Sequence, residues 1–268
     1  TSRRQRQMCI RDRFYNFCSL LPMDGLAIGW GEDPRVRALF ARLDRRHETF
    51  GYTQACDWYP ADLTYSDHGC PRFTACFRGK PMCSVALRVA GKFNILNALA
   101  ALACAHSQGA DMAMACHAMN EFKGAHRRFE LTGVVEGVKL YHDYGHNPTE
   151  MRNVLSVARL QPHGRLWAVM QPHTYSRTAK LFNDFVEQLR RPTIVYLAEI
   201  YAAREKNTIG ISSADLAAQI PGAKFYPTFA EIEAELRRIA RPGDIILTVG
   251  AGDVFRIGEH LLHPADNK

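Results

Sequence analysis

The stretch LWAVMQPHTYSRTAKLFNDF, residues 166–185, decides how the second half of this chain folds. Five apolar residues, Leu166 to Met170, run without a charge, as a strand buried on both faces does. The apolar positions then spread to a spacing of three and four, Ala179, Leu181, Phe182 and Phe185, which predicts a helix ending near Arg190. Between the two lie His173, Thr174, Tyr175, Ser176, Arg177 and Thr178. Either Ser176 or Thr178 could cap that helix. An arginine at a helix N-terminus opposes the helix dipole unless an anion sits between them, so His173 and Arg177 point to a carboxylate or phosphate ligand.

Working outward, the same alternation recurs. GVKLYHDY, TIVYLAEI, DIILTVGAGD and the weaker AKFYP read as strands, and NPTEMRNVLSVARL, SSADLAAQI and FAEIEAELRRIA as helices. Strands alternating with helices imply right-handed crossovers and a mainly parallel, Rossmann-like sheet covered on both faces. Ligands of such sheets bind beyond the carboxyl ends of the strands, which gives weight to polar residues placed there. YHDYGHNPTE offers His142, Asp143, Tyr144 and His146, while Asn147, Pro148 and Glu150 are explained as helix cap and first turn. EIYAAREKNTIGISS, with Tyr201, Arg204, Glu205 and Lys206, reads as an exposed charged turn. VGAGDV has Phe255 where a dinucleotide fingerprint needs its third glycine, so a tight strand-to-helix turn explains it.

The first half has a different rhythm. Short strand patterns, GLAIGW, HETFGY, FTACFRG and CSVALRV, precede an alanine-rich helix in GKFNILNALAALACAHSQG and a second in ADMAMACHAMNEF. Asn94 and Asn97 share one face near the start of the first of these helices, one as a cap and either able to read a purine edge. HRRFE, residues 126–130, places Arg127 and Arg128 at the junction of the halves. No GxxxxGK[ST] phosphate loop occurs anywhere.

With 47% hydrophobic and 23% charged residues, the composition is that of a globular protein, and the charge-free run NILNALAALACA is too short to span a bilayer. The first thirteen residues carry five Arg and one Asp, a net +4 of the total +7, and are set outside the fold as an adventitious tail. The remaining charge is mild and gives no reason to expect a nucleic-acid partner. Eight cysteines without a CxxC pair fit neither a zinc ribbon nor a disulfide framework and point to a reducing, cytoplasmic setting.

GKFNILNALAALA, FKGAHRRFE, HDYGHNPTEM, QPHTYSRT, EIYAAREK and GAGDVF, in this order, closely resemble the Mur ligase family, over about Phe14 to Leu262. The resemblance implies an α/β chain in three parts: a tail at 1–13, the back half of a central ATPase-type domain at 14–130 and a Rossmann-like C-terminal domain at 131–268. It implies peptide-bond synthesis in which ATP phosphorylates the carboxylate of UDP-N-acetylmuramic acid and the amine of L-alanine attacks the acyl phosphate. By matching positions, Asn94 and Asn97 would lie near adenine, Arg128 at the ATP phosphates and Asp143 at the ribose. Tyr144 and His146 would face the amino acid, and His173 and Arg177 would hold the alanine carboxylate or the acyl phosphate, with His146, His173 and Arg177 in catalysis. His142 stands where the family commonly has an acid, Asn147 where it has a second histidine and Thr174 where many members have arginine. The UDP-binding domain, the phosphate loop and the ligands for Mg2+ are expected upstream of Phe14, so the chain is expected to be an N-terminally truncated ligase, inactive by itself. A nucleotide-binding oxidoreductase domain and a non-catalytic nucleotide-binding module are the competing readings. The first predicts a glycine fingerprint where LYHDYGHNP has one glycine, and the second has no need of His173 and Arg177.

Overall fold

The computed structural model describes residues 3–191 and 194–263, with side chains from residue 10 onward. The chain divides into two compact units, residues 1–123 and 124–268.

The first unit begins with helix α1 (Arg3–Ser19), followed by β1 (Leu26–Trp30), α2 (Pro34–Phe40), β2 (Arg46–Phe50), β3 (Trp58–Tyr65), β4 (Pro71–Phe77), β5 (Lys80–Ala86), α3 (Phe93–Ser107) and α4 (Met112–Glu121). The arginine-rich residues set outside the fold are thus helical, continuous with Phe14–Ser19. Tyr15 and Cys18 pack against Phe40 and Leu43, while Phe14 and Phe17 face solvent. The sheet runs β1-β2-β3-β4-β5, its first three strands parallel and its last two antiparallel. Strand β3 escapes a sequence reading because Pro60 breaks the pattern and Asp62 adopts φ 53 at a register shift between Ala61 and Thr64. Helix α3 lays Ile95, Leu99 and Leu102 onto Trp58, Phe73 and Val85.

Two expectations are corrected in this unit. Neither Asn94 nor Asn97 caps α3: Lys92 is the cap residue and makes no side-chain capping bond. Asn94 Nδ2 instead donates to the Ala90 carbonyl at 2.8 Å, and Asn97 Nδ2 donates to Asn94 Oδ1 at 3.0 Å. Nor are all the cysteines free, since Cys83 of β5 and Cys116 of α4 form a disulfide. The packing of α4 on β5 brings them together, which no spacing of 33 residues announces.

The second unit contains β6 (Glu130–Val135), β7 (Val138–Asp143), α5 (Pro148–Leu160), β8 (Leu166–Met170), α6 (Tyr175–Lys180), α7 (Phe182–Leu189), β9 (Ile194–Ala198), α8 (Ser213–Ala218), β10 (Lys224–Tyr226), α9 (Phe229–Ile239), β11 (Ile245–Val249) and α10 (Phe255–Leu262). Its sheet runs β10-β9-β8-β11-β7-β6, all parallel except β6. The period of two sorts β8 cleanly: Leu166, Ala168 and Met170 enter one core with Met151, Phe185 and Leu216, and Trp167 and Val169 enter the other with Ile232, Leu236 and Ile257. Burying each of the larger side chains contributes about 1.5–3 kcal/mol. The division falls ahead of the expected 130/131 boundary because residues 127–130 are tied to the second sheet. Tyr144 N donates to the Arg127 carbonyl, and Phe129 N to Asp143 Oδ2 at 2.9 Å.

Candidate functional site

Register builds the site. Asp143 at the end of β7 and Met170 at the end of β8 both lie opposite Val249 at the end of β11, and Met170 also pairs with Leu197 near the end of β9, so the loops after β7, β8 and β9 leave the sheet at one level with the turn after β11. The first loop turns sharply at Gly145, whose N donates to Asp143 Oδ1 at 2.7 Å, and is then stopped by the Asn147 cap, whose Oδ1 accepts from Glu150 N. Asp143 is buried, and burial raises its pKa against the backbone N–H groups of Gly145 and Phe129, which lower it.

In the second loop Thr174 takes φ 65 as the cap residue of α6 and makes no side-chain capping bond. Neither Ser176 nor Thr178 caps the helix: Thr178 is buried with its hydroxyl on the Thr174 carbonyl, and Ser176 is bound by Glu205. The expected single helix breaks at Leu181, φ −111, into α6 and α7.

The third loop, read from sequence as an exposed turn, packs against the second. His173 and Tyr201 form an isolated parallel bridge, Thr174 N donates to the Tyr201 carbonyl at 2.9 Å, and Tyr201 N donates to the Pro172 carbonyl at 2.8 Å. The Tyr201 ring stacks on His173 with centroids 5.5 Å apart. Ser176 N and Oγ both donate to the Glu205 carboxylate, which holds its pKa below the usual range. Glu205 therefore does what a capping side chain would have done. The turn after β11 closes the group. At Gly252 a Cβ would stand 2.8 Å from the Tyr201 ring, and the Gln171 side chain holds the N–H groups of Asp253 and Val254.

His146 and His173 face each other with ring centroids 5.8 Å apart, and Tyr144 meets His146 edge-on at 5.6 Å. Their tautomers follow from their partners. His146 Nδ1 lies 3.1 Å from the Tyr144 carbonyl, which can only accept, and 3.6 Å from Glu150 Oε2, so Nδ1 carries a proton. His173 Nδ1 lies 3.3 Å from Arg177 Nη1, which can only donate, so His173 carries its proton on Nε2. Burial, then the charges of Arg177 and His146, lower the His173 pKa and keep it neutral. The Arg177 guanidinium meets only His173 among the described residues. An uncharged N–H donor, a second imidazole and an arginine fork with open donors thus share one wall, an arrangement suited to a carboxylate or to an oxyanion that forms beside an amine.

The structure therefore brings together Asp143, Tyr144, His146, His173 and Arg177. Arg128 is exposed, its guanidinium 5.8 Å from the Tyr144 ring centroid. Asn94 and Asn97 belong to the first unit. Sequence reasoning missed Tyr201 and Glu205, and the signal was their place at a strand's carboxyl end. His142 joins no ligand surface. It is 2% exposed, with Nδ1 on Thr248 and Nε2 unpartnered, and burial and the Arg127 charge push its pKa down to about 4.

The donor chemistry can be set against the groups that the resemblance implied. Each Asp143 oxygen accepts one backbone N–H and keeps a lone pair, as a ribose diol would need. The Asn97 Oδ1 and the Arg128 guanidinium have no hydrogen-bond acceptor or donor partner among the described residues, so both could meet a nucleotide. Magnesium does not fit in the same way: among the described residues no cluster of three or more His, Cys, Asp or Glu could hold a metal ion. Among them, too, no helix is long and apolar enough to cross a membrane.

The two units and their strand-tip loops correspond to known domains. The profile described as Mur ligase middle domain matches residues 7–105, and that described as Mur ligase, glutamate ligase domain matches residues 127–252. The chain belongs to the Mur ligase family. It is 42% identical over 257 residues to UDP-N-acetylmuramate–L-alanine ligase of Agathobacter rectalis, an alignment covering 94% of this chain and 56% of that protein. The ligase of that name from Caldanaerobacter subterraneus subsp. tengcongensis is 39% identical with the same shares covered. The chain thus spans about half the length of the curated relatives it matches. Among solved structures, UDP-N-acetylmuramate-alanine ligase of Thermotoga maritima superimposes with a TM-score of 0.71 at 24% identity, over 88% of this chain and 50% of the other. A murein peptide ligase of Psychrobacter arcticus does so with 0.69 at 22%, over 97% and 55%. At these identities the likeness shows the fold.

Proposed function

We propose that this chain provides the carboxyl-terminal domain and part of the middle domain of an ATP-dependent ligase joining L-alanine to the carboxylate of UDP-N-acetylmuramic acid, a step in making peptidoglycan precursor. One observation carries the reading: the loops after β7, β8 and β9 converge so that His146, His173 and Arg177 form a single wall with an open guanidinium. The names of the relatives that match 94% of the chain support the choice of substrates.

In the proposed reaction ATP activates the muramic acid carboxylate as an acyl phosphate, and the alanine amine displaces phosphate. Arg177 would pair with the alanine carboxylate or the acyl phosphate, fixing one end of a reactant whose other end must reach the carbonyl. His173 would donate from Nε2 to oxygen as negative charge develops there. His146 Nε2 would take the proton that the attacking amine loses. Asp143 would hold a ribose hydroxyl and Arg128 a phosphate of the nucleotide, with Asn94 and Asn97 serving the adenine from the first unit. The Mg2+ that ATP chemistry calls for would be held outside the described residues. Cytoplasmic work follows from substrates of this kind.

No phosphate loop is present in the 268 residues, so the isolated chain is expected to form no UDP-N-acetylmuramoyl-L-alanine. The test is a chimera in which residues 124–268 replace the matching segment of the Agathobacter rectalis ligase. It should form the amide from ATP, UDP-N-acetylmuramic acid and L-alanine. Arg177→Ala in the chimera should lower kcat/KM about 100-fold, the size of a lost anion-stabilising contact. A folded chimera without ligase activity, or one indifferent to Arg177→Ala, would refute the assignment.

A further inference from the structure

Positive charge also collects at the opposite ends of the same strands. Arg165 stands just before β8, Lys224 opens β10, Arg238 lies in the last turn of α9, and Arg241 sits in the turn before β11. With Trp167 and Tyr196 they line a cavity of about 490 Å³. Two carboxylates face these four cations, and both are fully engaged. Asp244, 3% exposed, accepts from the backbone N–H groups of Arg165 and Arg241, from Nε and Nη2 of Arg165 and from the Trp167 indole. Glu235 is shared between Lys224 Nζ at 3.1 Å and Arg238 Nη2 at 2.8 Å. The Arg241 guanidinium has no acceptor among the described residues. Two positive charges are therefore left without a counterion around one concavity.

We infer that this cavity binds an anion of the phosphate class carrying two or more charges. Arg241 supplies an open planar fork that matches the edge of a tetrahedral oxyanion, while Arg238, whose Nε and Nη2 lie on Glu235, adds its remaining donors, and Lys224 adds a point charge. Arg165, locked onto Asp244 and the Ile239 carbonyl, forms a fixed wall. The site lies at the other end of the strands from His173 and Arg177, so it is independent of the ligase reading.

The 15N-labelled 268-residue chain, titrated with inorganic pyrophosphate at constant ionic strength, should show saturable shifts at Lys224, Arg238 and Arg241 below about 10 mM. Arg238→Ala with Arg241→Ala should weaken that binding about tenfold or more, the effect of losing one charge-assisted hydrogen bond. Arg177→Ala should leave these shifts unchanged. Both replaced side chains are exposed, and an unaltered remainder of the spectrum reports the fold. Absence of saturable shifts at these residues, equal affinity in the double variant, or loss of the shifts in Arg177→Ala would each overturn the proposal.

Discussion

Arg165 and Arg177 sit at opposite ends of the same sheet and differ in one respect that separates architecture from chemistry. Arg165 lies within a closed network: its Nε and Nη2 reach Asp244, Nη2 also reaches the Ile239 carbonyl, and the indole of Trp167 joins the same carboxylate. Arg177 has only a neutral imidazole for company. A guanidinium with satisfied donors holds strands and loops in place, whereas one whose donors are open, at the start of a helix and beside two histidines, is poised for a ligand. The count of partners distinguishes the two residues; charge and exposure do not.

The contrast can be broken by substitution. Asp244→Ala should have the largest effect, removing about 3–5 kcal/mol of stability because it strands Arg165, the Trp167 indole and two backbone N–H groups. A urea unfolding midpoint measures it, and a loss under 1 kcal/mol would mean that the network is ornamental. Asp244 also has a stated pH direction: burial pushes it up, but hydrogen bonds from Arg165 and its neighbours prevail and lower it. Its contribution is therefore present above the ordinary aspartate range and fades as pH falls through the folded-state value.

His142 sharpens the picture from a buried position with no ligand role. Its folded pKa of about 4 lies below the unfolded value near 6.5, so the unfolded chain binds the proton first. Stability should be complete above about pH 6.5 and fall by about 3 kcal/mol as pH drops toward 4. In His142→Leu that part of the slope should vanish, as measured by unfolding at a series of pH values.

Arg177→Ala should change stability by about 1 kcal/mol or less, since nothing buried loses a partner. It should instead raise the His173 pKa, because one of the charges depressing it is gone. An NMR titration of His173 that shows no upward move would contradict the coupling drawn between the two. The smallest effect belongs to Glu205→Gln, which weakens the hold on Ser176. Faster amide exchange confined to residues 173–177 is the expected signature.

Much of the second unit was legible because its signals are local. The buried runs Leu166–Met170 and Ile245–Val249 announce central strands, and Asn147-Pro148 with Glu150 announces the start of α5. Capping at α6 was not legible, because the acceptor comes from Glu205, 29 positions away. The loop holding Tyr201 looks like any charged turn until β8 and β9 pair and set it beside His173. Strand β3 was hidden by Pro60 and Asp62, and β6 by Gly133, which interrupts its register. The disulfide depends on α4 folding back over β5. In each case the missing information was a partner distant in sequence.

Gly252 carries a consequence of its own. This position acts by leaving room. Any side chain there would press on the Gln171 amide oxygen that holds Asp253 and Val254, and on the Tyr201 ring. The ring would take the plane of His173 with it, so the aim of an imidazole at the end of β8 is set by an empty volume at the end of β11.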